Sequence, residues 1–209
     1  MVTVPVCEPC NREKSRDEPY LRDVLTTDRH GYEHPAAQAL FQGKVRRSIR
    51  YNSSDFARDA RAQATPRPTF TPEGIYLGNR MVVPVEKARI DRVLALLVRG
   101  LLFHLRERRI PRDYVFDVNL VKPESVVDTV RAFVVLPHRG PFVWGEQVCE
   151  CVFIQAADDP AVTTWLLRFY RGVMFLVDTS LGGMEQPEET PGTTARGATG
   201  QEGNGLCNP

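Results

Sequence analysis

The stretch EKARIDRVLALLVRGLLFHLRER, residues 86–108, decides how this chain folds. Ile90, Val93, Leu94, Leu97, Val98, Leu101 and Leu105 recur at helical spacing and cover a broad face, as a core helix requires. Pro111 ends the pattern. A helix with so wide an apolar face needs an apolar surface to lie on, and the chain that follows supplies one. Tyr114–Val121 alternates well enough to be a strand. Phe142–Ala156 and Thr163–Asp178 are long and rich in Val, Phe, Trp and Tyr, which predicts two strands of one antiparallel sheet joined through Asp158-Asp159-Pro160. Pro123 sits where a helix would start, with a short helix over 124–130. Cys149 and Cys151 fall two apart on a strand, facing one side with Phe153, and core packing is their default. The expected fold is therefore α+β, a long helix packed on an antiparallel sheet.

Upstream, Gly74–Val85 predicts a short strand pair turning at Gly78-Asn79. Residues 65–73 are rich in Thr and Pro and predict a linker. Before them a helical portion is expected, over 6–26 and again from about Ala36, with Ser54 or Asp55 capping a further helix to about Ala64. Asp28–Pro35 is a polar loop containing His30 and His34. From Gly182 onward Gly, Pro, Thr and Glu replace apolar residues, and a disordered tail that includes Cys207 is expected. The predicted organisation is thus 1–64, linker 65–73, domain 74–181 and tail 182–209.

The chain has 209 residues, 42% hydrophobic and 25% charged, which excludes fibrous and wholly disordered classes. Its longest apolar run, residues 93–105, is interrupted by Arg99, Gly100 and His104, and a bilayer span needs about 20 apolar residues. Residues 1–6 are too short for a signal-peptide core. The expectation is a soluble, cytoplasmic protein with no membrane association. The formal charge of +1 conceals a split: residues 1–112 hold 21 Lys and Arg against 13 Asp and Glu, and residues 113–209 hold 6 against 13. A basic front is compatible with nucleic-acid binding.

The segment Val4-Pro5-Val6-Cys7-Glu8-Pro9-Cys10-Asn11-Arg12-Glu13-Lys14 carries the chemistry. In a reducing compartment a CxxC pair is a metal or redox site rather than a structural disulfide, and both cysteines can reach one tetrahedral Zn²⁺ where a turn enters a helix. On that helix Asn11 and Lys14 share a side. An amide oxygen can ligate a hard divalent ion, and a lysine can hold a phosphate. His30 and His34, spaced HxxxH, are one way to complete the zinc site; the other reading is a polar loop in which His34 caps the next helix. Lys44, Arg46, Arg47 and Arg50 form a basic run, read either as phosphate contacts or as a solvated helix face. Arg106, Arg108, Arg109 and Arg112 form a second one at a helix C-terminus, where the dipole alone favours cations.

Residues 4–21 resemble the closing element of HNH endonucleases, in which an apolar strand end leads into CxxC, then His or Asn, then a basic residue near the next turn. The resemblance implies a ββα-metal nuclease motif acting on DNA. Cys7 and Cys10 would then be half of a structural zinc site. Asn11 would ligate or support a catalytic Mg²⁺ or Mn²⁺, and Lys14 would contact phosphate. The family's general-base His, its middle Asn and a first CxxC have no counterpart in this sequence. The expectation is therefore a chain that begins partway through the motif, by a misassigned start or as a remnant, and is catalytically incomplete as written. A non-catalytic zinc-knuckle DNA binder, and an oligomerisation or partner-binding α+β domain with a relic nuclease helix, stand beside it. The sequence sets no oligomeric state.

Overall fold

The computed structural model describes residues 8–51, 53–71, 73–106, 110–111 and 113–182. Cys7, the tail beyond Gly182 with Cys207, and Arg108, Arg109 and Arg112 of the second basic cluster lie outside the described residues. The fold is α+β. Helix α1 (Glu8–Thr27) is followed by α2 (Pro35–Leu40), a π-helical turn (Phe41–Val45), α3 (Arg46–Tyr51) and α4 (Asp55–Gln63). A hairpin of β1 (Thr65–Phe70) and β2 (Tyr76–Val82) precedes the long helix α5 (Lys87–Arg106). Strand β3 (Tyr114–Leu120), helix α6 (Val126–Val135), and strands β4 (Arg139–Trp144), β5 (Cys149–Gln155), β6 (Thr163–Phe169) and β7 (Val173–Leu181) complete the described chain. β3–β7 form one antiparallel sheet in the order β3-β7-β6-β5-β4.

The expected helix-on-sheet core is present. α5 buries Ile90, Val93, Leu94, Val98, Leu101 and Leu102 against the inner face of the sheet. Phe153 and Trp165 stack there at 4.3 Å between ring centroids, both fully buried. The Trp165 indole donates to Thr163 Oγ1 at 2.8 Å, and that hydroxyl meets Thr179 Oγ1 at 2.8 Å, so the polar atoms of these three side chains are satisfied. Cys151 is buried in the same layer and Cys149 packs beside it. Burial pushes the Cys149 thiol up to about 12, and Cys151 upward likewise, so both stay protonated packing groups. The outer face carries a smaller cluster of Phe133, Leu166 and Met174 under α6.

Three expectations are corrected. Phe142–Ala156 and Thr163–Asp178 are each a hairpin, not a single strand. Their turns place Glu146 and Gln147, and Tyr170 and Arg171, at positive φ without a glycine at those positions. A search for Asn-Gly or Gly-rich hairpin turns misses them. The predicted linker is strand β1, and its hairpin turns over residues 71–75 rather than at Gly78-Asn79. Pro66 and Pro68 disguise it as a linker, although proline is tolerated on a two-stranded edge. Finally, the helical front is not a separate unit, because Leu21, Leu25 and Ala37 enter the same core as α5 and the sheet.

α1 runs antiparallel to α5 and continues through Pro19, whose ring and missing N–H would cost an isolated helix about 3 kcal/mol. Tertiary contacts hold it. Asp17 accepts from Arg89 Nε at 2.7 Å and Arg92 Nε at 2.9 Å, and Arg89 also meets Asp55 on α4 at 2.7 Å. Tyr20 packs edge-on against Phe56, and its hydroxyl accepts from the Glu86 N–H at 2.9 Å.

Candidate nucleic-acid interface

The first turns of α1 present the motif residues differently. Asn11 is exposed, whereas Cys10 is half-buried within electrostatic reach of Arg99. Arg99 is itself fixed, donating to the carbonyls of Ile110 at 2.8 Å and Pro111 at 3.1 Å and lying 4.7 Å over the Phe116 ring. Lys14 pairs with Glu18 at 3.0 Å, and Arg12 with Glu8 at 2.8 Å, both one helical turn apart. Asn11 thus offers an accessible amide, while the two cations beside it already have carboxylate partners.

His34 takes the capping role. Its Nδ1 accepts from the Ala36 N–H at 3.1 Å, so Nε2 carries the proton and donates to the Glu146 carbonyl at 3.1 Å. Both ring nitrogens are engaged and the residue is buried, which removes the CxxC–HxxxH completion of the zinc site. His30 is exposed on the neighbouring loop, where its backbone packs against Gly172. Among the described residues no three or more His, Cys, Asp or Glu side chains gather as metal ligands. The described donors therefore do not fit a zinc ion by themselves: Cys10 is one ligand of a tetrahedral set.

The basic run behaves differently. Lys44, Arg46, Arg47 and Arg50 are all exposed along the π-turn and α3. Among the described residues none of the four meets a carboxylate within ion-pair distance. Arg46 and Arg50 lie one turn apart, and Arg50 leans over the Tyr51 ring at 5.7 Å. The π-turn widens the helix just before this face, and such bulges concentrate at functional positions. Val45, fully buried, anchors the segment to the body.

Comparison with family models, curated proteins and solved structures finds no match. No helix among the described residues is long and apolar enough to cross a membrane.

Sequence reasoning missed two features. The Asp17–Arg89–Arg92–Asp55 network joins residues more than 30 positions apart, and only the antiparallel pairing of α1 with α5 brings them together. The β1–β2 hairpin leaves Phe70, Tyr76, Leu77 and Met81 exposed, and its Pro-rich first strand conceals it. Alternating apolar residues in 75–83 predict a strand pair there, but the partner strand is the Pro-rich segment Thr65–Phe70, which reads as a linker.

Proposed function

We propose that this chain belongs to the HNH-type endonuclease family and binds DNA through the phosphate backbone, using the basic surface of residues 44–50. The observation that carries the reading is clustering: Arg61, Arg67 and Arg80 also lack a carboxylate partner among the described residues, but residues 44–50 gather four such cations in seven positions. Arg12, Lys14, Arg58 and Lys87 each have an intrahelical carboxylate partner. The four cations of residues 44–50 have none among the described residues, and clustered unpaired cations on one helical surface are the footprint of a polyanion contact. Phosphate contacts fix position without reading sequence, so binding to any duplex is expected.

The residues present supply an accessible amide, a half-zinc CxxC and phosphate contacts. No general-base His stands among them, so the reading is DNA binding, with no cleavage step assigned to these residues. Fluorescence anisotropy with a labelled duplex tests the reading. The wild-type chain binds, and Lys44, Arg46, Arg47 and Arg50 replaced together by Ala lower affinity roughly a hundredfold at low salt. Equal affinity of the two proteins removes the proposal. Incubation with plasmid and Mg²⁺ or Mn²⁺ leaves the DNA intact.

A further inference from the structure

Helix α6 lies on the outer face of the sheet without filling the space beneath it. It connects β3 to β4, which stand at opposite edges of the five-stranded order. Of its ten residues only Phe133 is buried. A cavity of about 160 Å³ remains between the helix and the strands. The pleat sets its floor. Glu150, Arg168 and Met174 stand in one cross-strand row over β5, β6 and β7, and Val152 and Leu166 stand in the next. Phe133 and Val130 come down from the helix, and the exposed Val134 marks the mouth. The lining is apolar apart from the Glu150–Arg168 pair and His138.

The polar groups are incompletely used. Arg168 donates to Glu150 Oε2 through Nε at 2.9 Å and also through Nη2, so both bonds fall on one oxygen. Glu150 is nine-tenths buried, yet its Oε1 accepts from none of the described residues. The buried side-chain atoms left without a partner among those residues are one oxygen each of Asp23 and Asp91. Glu150 Oε1 is not one of them, so it is open to the space it borders. His138 adds a second acceptor at the rim. Its Nδ1 meets the Leu136 carbonyl at 3.0 Å, and a carbonyl only accepts, so Nδ1 carries the proton and Nε2 the lone pair.

An apolar cavity with open acceptors and no net charge selects its ligand narrowly. A cationic ligand would meet the Arg168 guanidinium, and an anionic one the Glu150 carboxylate. A neutral O–H donor satisfies Oε1 without either cost. The volume suits a six-membered ring, since an apolar cavity of about 150 Å³ holds benzene. Phe133 offers an aromatic edge and Met174 a thioether, and both favour a ring over a chain. We propose that this cavity binds a small neutral aromatic alcohol, a single ring bearing a hydroxyl. The hydroxyl donates to Glu150 Oε1, and the ring lies between Phe133 and Met174. No residue of α1 or of the 44–50 surface takes part, so the site is independent of DNA binding.

Phenol is the probe. Titration of the full, nitrogen-15-labelled chain, followed by amide chemical shifts, reads affinity and place together. Phenol binds with a Kd of about 1 mM or tighter, and the largest shifts fall on Phe133, Glu150, Val152, Leu166 and Met174. Toluene buries Oε1 without a donor and binds at least about tenfold more weakly. Benzylamine and benzoate, which bring a charge to a neutral pair, are weaker than phenol by a similar factor. Glu150→Gln removes the charged acceptor and brings phenol and toluene to within about threefold of each other. Val152→Phe fills the cavity from its floor and abolishes phenol binding, with circular dichroism confirming a folded chain. Should that variant not fold, the ligand series on the wild-type chain decides alone. An absence of shifts at about 10 mM phenol overturns the proposal, as do shifts centred outside the cavity. Equal affinity for phenol and toluene in the wild-type chain refutes the role of Glu150 and the ligand class with it. Tighter binding of benzylamine or benzoate assigns the cavity to a charged ligand and is equally fatal.

Discussion

Replacing Asp17 by alanine should be among the most costly single changes on the helical side of the molecule. Asp17 is 1% exposed and accepts from both Arg89 and Arg92. Arg89 is nearly as buried, donates to the Arg16 carbonyl at 3.1 Å and lies 4.5 Å over the Tyr20 ring. Burial alone would raise the Asp17 carboxyl, but the hydrogen bonds and charges of Arg92 and Arg89 outweigh it and hold the group below its usual value. Removing it leaves the Arg89 guanidinium buried with Asp55 as its remaining close carboxylate. Breaking a buried pair from one side costs about 3–5 kcal/mol. Against a total stability of about 5–15 kcal/mol, that is a drop in Tm on the order of 10 °C. Urea unfolding followed by circular dichroism measures it. A loss below about 1 kcal/mol would refute the reasoning. Asp17→Leu combined with Arg89→Met should recover most of the loss, because apolar groups of similar volume leave no buried uncompensated charge, and Arg92, which also loses Asp17, is 40% exposed and hydrated. The pH dependence has a definite sign. The folded pKa lies below the unfolded value of about 3.9, so the contribution is fully present above that value and disappears as pH falls through the lower folded one. Wild type and Asp17→Ala should therefore differ by a constant amount at neutral pH and converge in acid.

Three further outcomes are expected. His34→Ala removes the cap of α2 and the bond to the Glu146 carbonyl, which lowers stability by about 1–3 kcal/mol in urea titration; zinc stoichiometry by native mass spectrometry stays unchanged. A Cβ on Gly172 would collide with the His30 carbonyl, so Gly172→Ala lowers the urea midpoint by about 1–3 kcal/mol equivalent. Gly43→Ala, where a Cβ meets nothing within 4 Å, leaves stability equal or raises it by up to about 1 kcal/mol, and is the matched control.

The α5 helix was legible because its periodicity is strong and Pro111 ends the pattern. Of the seven apolar residues read from its pattern, five are fully buried, and Leu97 and Leu105 are half-buried. The sheet was legible as β-rich sequence but not as strands. Tyr170-Arg171 turns a hairpin with two side chains in the left-handed region, which only the surrounding packing sustains. Tyr170 is buried there, with its ring 5.7 Å from that of His34. Propensity favours continuing such a strand, and tertiary contact decides otherwise. β1 was hidden for the opposite reason, since its prolines suggest a linker although the ladder to β2 is regular up to Thr69. At the site, exposure separated residues that composition treats alike. Lys14 and Lys44 are both lysines in a basic front, and only the structure pairs the first with Glu18 and leaves the second without a nearby carboxylate among the described residues. The capping role of His34 depends on the Glu146 carbonyl, more than 100 residues away in sequence, so no local pattern could decide between cap and metal ligand.

The claim that the residue 44–50 face binds phosphates is tested most directly by the salt dependence of duplex binding. Neutralising four phosphates predicts that log K falls with log salt at a slope of roughly −3 to −4 for the wild-type chain. The variant with Ala at 44, 46, 47 and 50 should bind with a slope near zero. A wild-type slope near zero, or the same steep slope in both proteins, would contradict the account.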